Sequence, residues 1–248
     1  MGRITGAVKH LIIVNGLFFV ATYLYGDQMY QWFSLWFTKN GNFEFWQVLS
    51  HMFMHGGLMH ILFNMYALWA FGSPLERMWG KNKFLFFYFS AGIGAALIHT
   101  GVNYYYFNQG MEALVSSGIP REQIMEIISS GKYSPSWYNI ASTDTINNFL
   151  SAYNTPAVGA SGAIYGVLVA FGMSYPNSEL FLMFIPVPVK AKYFIPVLIG
   201  LDLFSGVTGY SIFGNGIAHF AHVGGALFGF IMMWYWKKNQ FNQNRWDL

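Results

Sequence analysis

The sequence contains no cysteine and very little charge for its length. Without cysteine, the chain of 248 residues can form no disulfide, use no thiolate nucleophile and build no cysteine metal site. Only 9% of its residues are Asp, Glu, Lys or Arg, against about 25% in an ordinary soluble domain. A soluble fold with so few charges could not cover its surface, so lipid is the natural solvent for much of the chain. The net charge of +3 is too small to argue for nucleic acid as a partner.

Apolar residue types make up 54% of the chain and lie mostly in runs without charged side chains. A helix needs about 20 residues of this kind to cross the hydrocarbon core of a bilayer. The candidate spans cover roughly residues 9–25, 57–72, 84–106, 158–175, 192–207 and 217–236. The sequence therefore predicts an all-α, polytopic membrane protein, with six transmembrane helices in a single domain over residues 1–248.

The first run could also belong to a signal peptide, because basic residues precede it. No small-x-small cleavage site follows its apolar part, and further candidate spans come after it. We therefore predict that residues 9–25 remain in the protein as its first transmembrane helix.

The distribution of basic residues indicates which side of the membrane the termini occupy. Six helices put both termini on the same side, and a cytoplasmic placement puts all but three of the 13 Lys and Arg residues in cytoplasmic segments. Cytoplasmic loops of membrane proteins carry an excess of Lys and Arg, so this orientation is favoured. We expect a multi-pass protein of the plasma (inner) membrane with both termini in the cytoplasm.

Two connecting segments have distinctive compositions. Residues 26–56 are rich in aromatic side chains, and because Trp and Tyr favour the membrane–water interface, we expect a long loop lying on the membrane. Residues 108–155 are polar and form an extended insertion on the outer side. Within this insertion, residues 120–130 have the apolar spacing of a short amphipathic helix. The insertion is either a surface elaboration or a lid that contacts substrates, and the sequence leaves both readings open.

A polar side chain inside a membrane span is costly and marks a candidate site, and four of those inside the predicted spans matter most here: His60, Asn64, Ser161 and His222. His60 lies near the start of the second helix, Ser161 near the start of the fourth and His222 near the start of the sixth, all at the outer face. A helix rises about 1.5 Å per residue, so these side chains lie roughly 4.5 to 7.5 Å deep. Asn64 follows His60 by four residues and shares its helix face.

Small residues spaced four apart predict close packing between the fourth and sixth helices. The pairs are Gly162 with Gly166 on the fourth helix and Gly225 with Gly229 on the sixth. This spacing lets two membrane helices approach closely. His222 precedes Gly225 by three residues and shares its face, so the packing would bring His222 to Ser161.

These residues fit the chemistry of acyl transfer. A serine hydroxyl becomes a good nucleophile when an adjacent base takes its proton, so Ser161 is the candidate nucleophile and His222 the candidate base. The oxyanion that develops in such a reaction needs hydrogen-bond donors. The backbone N–H of Ser161 is free at the start of a helix, and the side chains of His60 and Asn64 can donate while uncharged.

The chain resembles the rhomboid family of intramembrane serine proteases over about residues 5 to 236. The stretches that carry the resemblance are Gly159-Ala160-Ser161-Gly162, His60-Ile61-Leu62-Phe63-Asn64, Ala221-His222 followed by Gly225 and Gly229, and Glu76-Arg77 in the first cytoplasmic loop. The chain also departs from the family pattern. Many members have Trp-Arg in the first outer loop, whereas this chain has Trp46-Gln47, which leaves open how that loop is anchored.

The resemblance implies further features of the site. Ser161 and His222 would act as a dyad without a carboxylate third member, and the sequence agrees, since it places no acid near His222. The closest acid in the sequence is Asp202, near the outer end of the fifth helix. Tyr165 would stack on the catalytic histidine. The fifth helix would be mobile with Phe204 as a gating aromatic, and a water-filled cavity would open to the outer side.

The predicted function is a serine endopeptidase that cuts single-span transmembrane substrates near the outer membrane face. Its partners would be those substrates and the lipid bilayer. The reaction implies no cofactor. The sequence gives no oligomeric state.

Other readings compete with this one. An inactive rhomboid-like protein that binds membrane clients is the main alternative, although this chain keeps both the serine and the histidine. A transporter would need internal repeats or broken mid-membrane helices, which the sequence lacks. His219 competes with His222 as the base. His51 and His55 could share a metal ion, but no acid joins them, so we predict no metal site.

Overall fold

The computed structural model describes residues 3–182, 185–210 and 218–243. A helix or helical run occupies each of the six segments predicted as spans. They are α1 (Gly6–Tyr25), α4 (Leu58–Ala67) continued through a π-helical turn (Leu68–Gly72) into α5 (Ser73–Trp79), α6 (Lys81–Ser116), α9 (Ser161–Ser174), α10 (Ala191–Thr208) and α11 (His219–Gln243). The connecting segments hold α2 (Asp27–Phe33), α3 (Gln47–Ser50), α7 (Arg121–Ser129) and α8 (Thr143–Asn154).

The lengths and the hydropathy of the helices are those of an integral membrane protein. Three of those in the described part of the chain, α1, α6 and α10, are each long and apolar enough to cross a bilayer. Helix α9 is apolar but shorter, and the π-helical turn divides the run over residues 58–79 into separate elements. The all-α membrane class is therefore confirmed, and the count of six spans stays a prediction.

Helix α6 is longer than the sequence indicates. It has 36 residues, which corresponds to about 54 Å at 1.5 Å per residue, whereas the hydrocarbon core measures about 30 Å. One end of α6 therefore projects beyond the bilayer. The prediction that residues 108–116 belong to a polar loop is wrong, because these residues continue the helix.

The rest of the predicted insertion folds onto this projecting end of α6. Residues 117–155, which we call the cap, contain α7, a 3₁₀ turn (Pro135–Asn139) and α8. The cap and α6 pack in a second hydrophobic cluster, which also takes in Phe37 from the segment 26–56. Its other main members are Phe107, Met111, Ile124, Ile128, Trp137 and Phe149. The amphipathic helix predicted over residues 120–130 is confirmed as α7, with Ile124 and Ile128 fully buried.

A short hairpin joins α9 to α10 and is the one β-sheet in the described residues. Strand β1 (Glu179–Leu182) pairs antiparallel with β2 (Ile185–Lys190), and Glu179 lies opposite Lys190. The sequence did not lead us to expect these strands. The prediction of an all-α fold holds for the spans and misses this connection.

The central packing of the fold brings the backbones of α9 and α11 into contact. A Cβ atom placed on Gly225 would lie 1.8 Å from the carbonyl oxygen of Gly162, and one on Gly229 would lie 2.6 Å from the Cα of Gly166. No side chain fits at either point. Helix α6 closes the third side, since Cβ atoms on Gly162 and Gly166 would each meet an α6 alanine at 2.6 Å.

We predict that Gly225→Ala destabilises the protein strongly, because its methyl group would overlap the carbonyl of Gly162. Overpacking of this kind costs about 1–3 kcal/mol or more. Gly200→Ala in α10 is the matched control, since its methyl group would point into open space. Thermal unfolding in detergent should show a lowered midpoint for Gly225→Ala alone, and equal midpoints for the two variants would contradict the packing.

Glu76 in α5 caps the beginning of α1. Its carboxylate accepts hydrogen bonds from the backbone N–H of Ala7 at 2.7 Å and of Val8 at 2.9 Å, and from the hydroxyl of Thr5. The first N–H groups of a helix have no partner inside the helix, and a negative charge there is also favoured by the helix dipole. Glu76, which lies after the predicted span 57–72, therefore holds α1 against the bundle.

Glu76 also gives the fold a pH dependence. Burial by itself would raise the pKa of this carboxyl, but the three hydrogen bonds and the charge of Lys81 lower it below its ordinary value. A carboxylate with a lowered pKa stabilises the folded state above its ordinary pKa, and this stabilisation is lost as the pH falls through the lowered value.

We predict that Glu76→Gln reduces the free energy of unfolding by about 1–3 kcal/mol at neutral pH, since hydrogen bonds to a charged acceptor are lost. The difference in thermal midpoint between this variant and the wild type should shrink as the pH falls below the ordinary carboxyl value of 4.5. Glu44→Gln, at an exposed position, is the control. A difference that does not change with pH would rule out the charged cap.

Candidate active site

Ser161 and His222 meet where α9 and α11 begin. Ser161 is the first residue of α9, and His222 lies one turn into α11. The Oγ of Ser161 and the Nε2 of His222 are 2.8 Å apart, which is hydrogen-bonding distance. Both side chains are partly buried. The arrangement suits transfer of the hydroxyl proton to the imidazole.

Tyr165 lies one turn after Ser161 and covers one face of the His222 ring. The two ring centroids are 4.2 Å apart and the planes differ by 14°, so the rings are stacked. The stacking restricts how far the imidazole can tilt. The hydroxyl of Tyr165 reaches past the histidine and donates a hydrogen bond to Asp202.

Asp202 in α10 lies beside His222. Its Oδ1 is 3.2 Å from the Nδ1 of His222, on the opposite side of the ring from Ser161. The carboxylate is buried, with 1% of its surface exposed. The expectation that no acid lies near His222 is therefore wrong.

The orientation of α10 about its own axis explains why Asp202 lies near His222, contrary to the expectation from the sequence. The buried residues of this helix are Ala191, Ile195, Asp202 and Ser205, which form one stripe along it. Asp202 follows Ile195 by seven residues, or two turns, and so faces inward with it. The spacing of seven residues from Ile195 indicates that Asp202 faces inward. The separation of Asp202 from His222 along the sequence gives no such indication.

His219 shares the same carboxylate. Its Nδ1 lies 2.6 Å from Oδ1 of Asp202, one helical turn before His222. The side chain hydrogen-bonded to the Ser161 hydroxyl is that of His222. The geometry thus favours His222 over His219 as the partner of the serine.

His60 lies beside Gly159, with its Nε2 toward that residue. A Cβ atom on Gly159 would lie 2.9 Å from that nitrogen, and Gly159 has a φ of +125°, which side chains other than hydrogen rarely tolerate. The backbone N–H of Gly56 donates to Nδ1 of His60 at 3.4 Å. Since Nδ1 accepts, the hydrogen of a neutral His60 ring belongs on Nε2, which makes that nitrogen a donor.

Asn64 is buried one turn further along α4. Its Nδ2 donates to the backbone carbonyl of His60 at 3.0 Å. An amide nitrogen carries two hydrogens, so a second one remains for another acceptor. The structure thus brings Ser161, His222 and Tyr165 into direct contact, whereas Asn64 bonds within its own helix.

The model of the Rhomboid domain matches residues 42–239, which is most of the chain. The chain belongs to the rhomboid family. It is 29% identical over 189 residues to the human mitochondrial presenilin-associated rhomboid-like protein. It is 29% identical over 196 residues to the rhomboid protease AarA of Providencia stuartii, and 26% identical over 188 residues to the rhomboid protease GluP of Bacillus subtilis.

These alignments leave much of each relative unmatched. They take in about three-quarters of this chain in each case. The chain spans 36% of the length of the human protein, 54% of AarA and 25% of GluP.

The residues before Ser161 are held by loop 1, which we define as residues 26–57. The backbones of Leu35 and Ala157 exchange two hydrogen bonds of 2.9 Å, in the manner of an isolated β-bridge. The N–H of Gly159 donates to the carbonyl of His51 at 2.9 Å. Loop 1 therefore sets the position of the segment that leads into Ser161.

Gln47 anchors loop 1 at the place where many rhomboids have arginine. Its side chain is fully buried, and its Nε2 donates to the carbonyls of Asn42 at 2.8 Å and Gln31 at 3.1 Å. Its Oε1 accepts from the N–H of Trp36 at 3.3 Å. The amide thus ties distant parts of the loop together without a charge, which answers the question that the missing arginine raised.

We predict that Gln47→Glu loosens loop 1, because a carboxylate has the same shape but cannot donate to the two carbonyls. A buried carbonyl left without a partner costs about 1–3 kcal/mol. Hydrogen exchange of the amides in loop 1 should accelerate, and the thermal midpoint should fall. Gln28→Glu, at an exposed position in the same loop, is the control. Unchanged exchange in Gln47→Glu would show that other contacts hold the loop.

The two histidines considered for a metal site lie in loop 1. The Nδ1 of His51 bonds to the carbonyl of Gln47 at 2.8 Å, and burial lowers the pKa of His51 to about 4. The ring of His55 packs edge-on against His60, with centroids 4.9 Å apart. Within the described ranges, no three His, Asp or Glu side chains are grouped closely enough to hold a metal ion.

Phe204 lies two residues after Asp202 and points away from this network. About half of its side-chain surface is exposed on the outer face of α10, whereas Asp202 is buried. Helix α10 therefore presents the carboxylate to the candidate site and an aromatic ring to the surroundings.

Proposed function

We propose that the protein is an intramembrane serine endopeptidase that cuts single-span transmembrane proteins near the outer face of the membrane. Ser161 is the nucleophile and His222 the general base. The observation that carries the proposal is the 2.8 Å contact between Ser161 Oγ and His222 Nε2 at the start of two helices that pack backbone to backbone.

The first half of the reaction acylates the serine. Ser161 Oγ attacks the carbonyl carbon of the scissile bond while its proton passes to Nε2 of His222. The carbonyl oxygen becomes an oxyanion that accepts hydrogen bonds from the backbone N–H of Ser161 and the side chains of His60 and Asn64. The C–N bond then breaks, and His222 returns the proton to the leaving amine.

The second half releases the acyl group. His222 takes a proton from a water molecule, whose oxygen attacks the ester carbonyl, and Ser161 regains its proton as the ester bond breaks. A cavity of about 20 Å³ adjoins Ser161 and is lined also by His51 and His99. This volume suffices for about one water molecule with polar neighbours. The site therefore has room for the hydrolytic water beside Ser161.

Substrate entry is the step that involves loop 1, helix α10 and the cap. A transmembrane helix must unwind to present a peptide bond, since its backbone groups bond internally. A groove of about 540 Å³ lies between loop 1 and the segment before Ser161, lined by Tyr30, Trp36, Pro156 and Val158 among others. We assign this groove to the unwound outer part of the substrate. Phe204 forms the gate at α10. The protein lies in a plasma membrane with both termini in the cytoplasm and the cap on the outer side.

The proposal predicts that Ser161→Ala and His222→Ala abolish cleavage of a single-span substrate. The expected fall in rate is about 10⁴-fold or more, because the nucleophile and its base act as a unit. The measurement uses purified protein in liposomes with a labelled substrate, beside thermal unfolding of each variant. Ser174→Ala, at the far end of α9, should cleave at the wild-type rate.

Two results would count against the proposal. Cleavage that persists in Ser161→Ala would move the nucleophile elsewhere. Absence of cleavage by the wild type, combined with no labelling of Ser161 by a fluorophosphonate, would favour the inactive client-binding rhomboid. Labelling of Ser161 without cleavage would keep the chemistry and show that the substrate was wrong.

A further inference from the structure

We propose that Asp202 is the positioning residue of the catalytic base: it holds His222 in the tautomer and orientation that proton transfer from Ser161 requires. The inference rests on the proposed function and goes beyond it, because the resemblance to the rhomboid family implies a dyad without an acid. The geometry of the buried carboxylate carries the argument.

The hydrogen bonds at Asp202 determine where the imidazole hydrogens lie. Oδ1 is 2.6 Å from Nδ1 of His219 and 3.2 Å from Nδ1 of His222, and the Tyr165 hydroxyl donates to Oδ2. A carboxylate is an acceptor only, so each Nδ1 that bonds to it carries a hydrogen. A neutral His222 ring then has its lone pair on Nε2, which is the atom facing Ser161.

The same contacts restrict the orientation of the ring. Tyr165 covers one face of His222, and Asp202 holds the ring edge opposite Ser161. Rotation of the imidazole about its own bonds would break the Asp202 hydrogen bond inside an apolar bundle, where a lost partner is costly. The Nε2 atom therefore stays directed at Ser161 Oγ before substrate arrives.

Asp202 also connects the base to a third helix. Tyr165 belongs to α9, His222 to α11 and Asp202 to α10, so the carboxylate joins three helices at one point. Helix α10 is the helix that carries the exposed Phe204. The base is therefore fully positioned only while α10 lies against α9 and α11.

A purely structural Asp202 would stabilise the bundle without affecting the tautomer of His222, and this difference provides the test. The variants are Asp202→Asn, which removes the charge and keeps the shape, and Asp202→Glu, which keeps the carboxylate. The matched control is Ser205→Ala, at the next buried position on the same face of α10. All are made in the full chain, and the cleavage assays use protein reconstituted in liposomes.

The first readout is steady-state cleavage of a single-span substrate. Asp202→Asn should lower kcat by on the order of 10²- to 10⁴-fold and leave KM within about threefold, because the base is affected rather than substrate binding. The rate of Ser161 labelling by a fluorophosphonate should fall in parallel. Asp202→Glu should recover part of kcat, and Ser205→Ala should retain the wild-type value.

The second readout is the ¹⁵N NMR spectrum of histidine-labelled protein in detergent, with His222 assigned by comparison with His222→Ala. The wild type should show His222 protonated at Nδ1, and Asp202→Asn should shift it toward the Nε2–H form. A wild-type His222 that is protonated at Nε2 would overturn the inference, and this observation needs no variant that might fail to fold.

The outcomes separate this inference from the proposed function. Equal losses of kcat and thermal midpoint in Asp202→Asn and Ser205→Ala, with an unchanged His222 spectrum, would make Asp202 structural while the serine protease stands. Cleavage that survives Ser161→Ala would instead remove the proposed function itself.

Discussion

The contact between the backbones of α9 and α11 is the constraint on which the site depends. Gly225 has room for no atom beyond hydrogen against the Gly162 carbonyl, so the two helices have one register at this crossing. Ser161 directly precedes Gly162, and His222 precedes Gly225 by three residues. A shift of either helix by one residue would separate the hydroxyl from the imidazole, and the hydrogen bond of 2.8 Å would be lost. Close packing thus supplies the proximity that the proposed chemistry needs.

Polar groups inside the bundle are tolerated because they satisfy one another. Ser161 bonds to His222, which bonds to Asp202, and this carboxylate also accepts from His219 and Tyr165. Removing one member leaves the others without partners in an apolar environment. An incomplete network therefore lowers the stability of the fold. This reciprocity is why a carboxylate from a third helix belongs with the serine and the histidine, although it lies 20 residues from His222 in the sequence.

The sequence predicted the helices and the meeting of Ser161 with His222 because both follow from local periodicity. Hydropathy locates a span, and glycines four residues apart mark the face on which a helix packs. The same reasoning failed for Asp202, because an acid was judged by its distance along the chain rather than by the rotation of α10. It failed also at residues 108–116, where polar side chains concealed a helix that continues into the hydrophobic cluster of the cap. Hydrogen bonds inside an irregular loop, such as those of Gln47 within loop 1, have no periodic signal at all.

Loop 1 shows that the anchoring of this region requires hydrogen-bond donors and not a positive charge. The carbonyls of Gln31 and Asn42 point at one buried place, and any side chain there must donate to both. An arginine would supply donors but would also need a counter-charge or water at that depth. The amide of Gln47 donates to the same groups, accepts from Trp36 and needs neither. Since Leu35 and His51 of this loop hold the segment before Ser161, an uncharged anchor is sufficient to keep Ser161 in place.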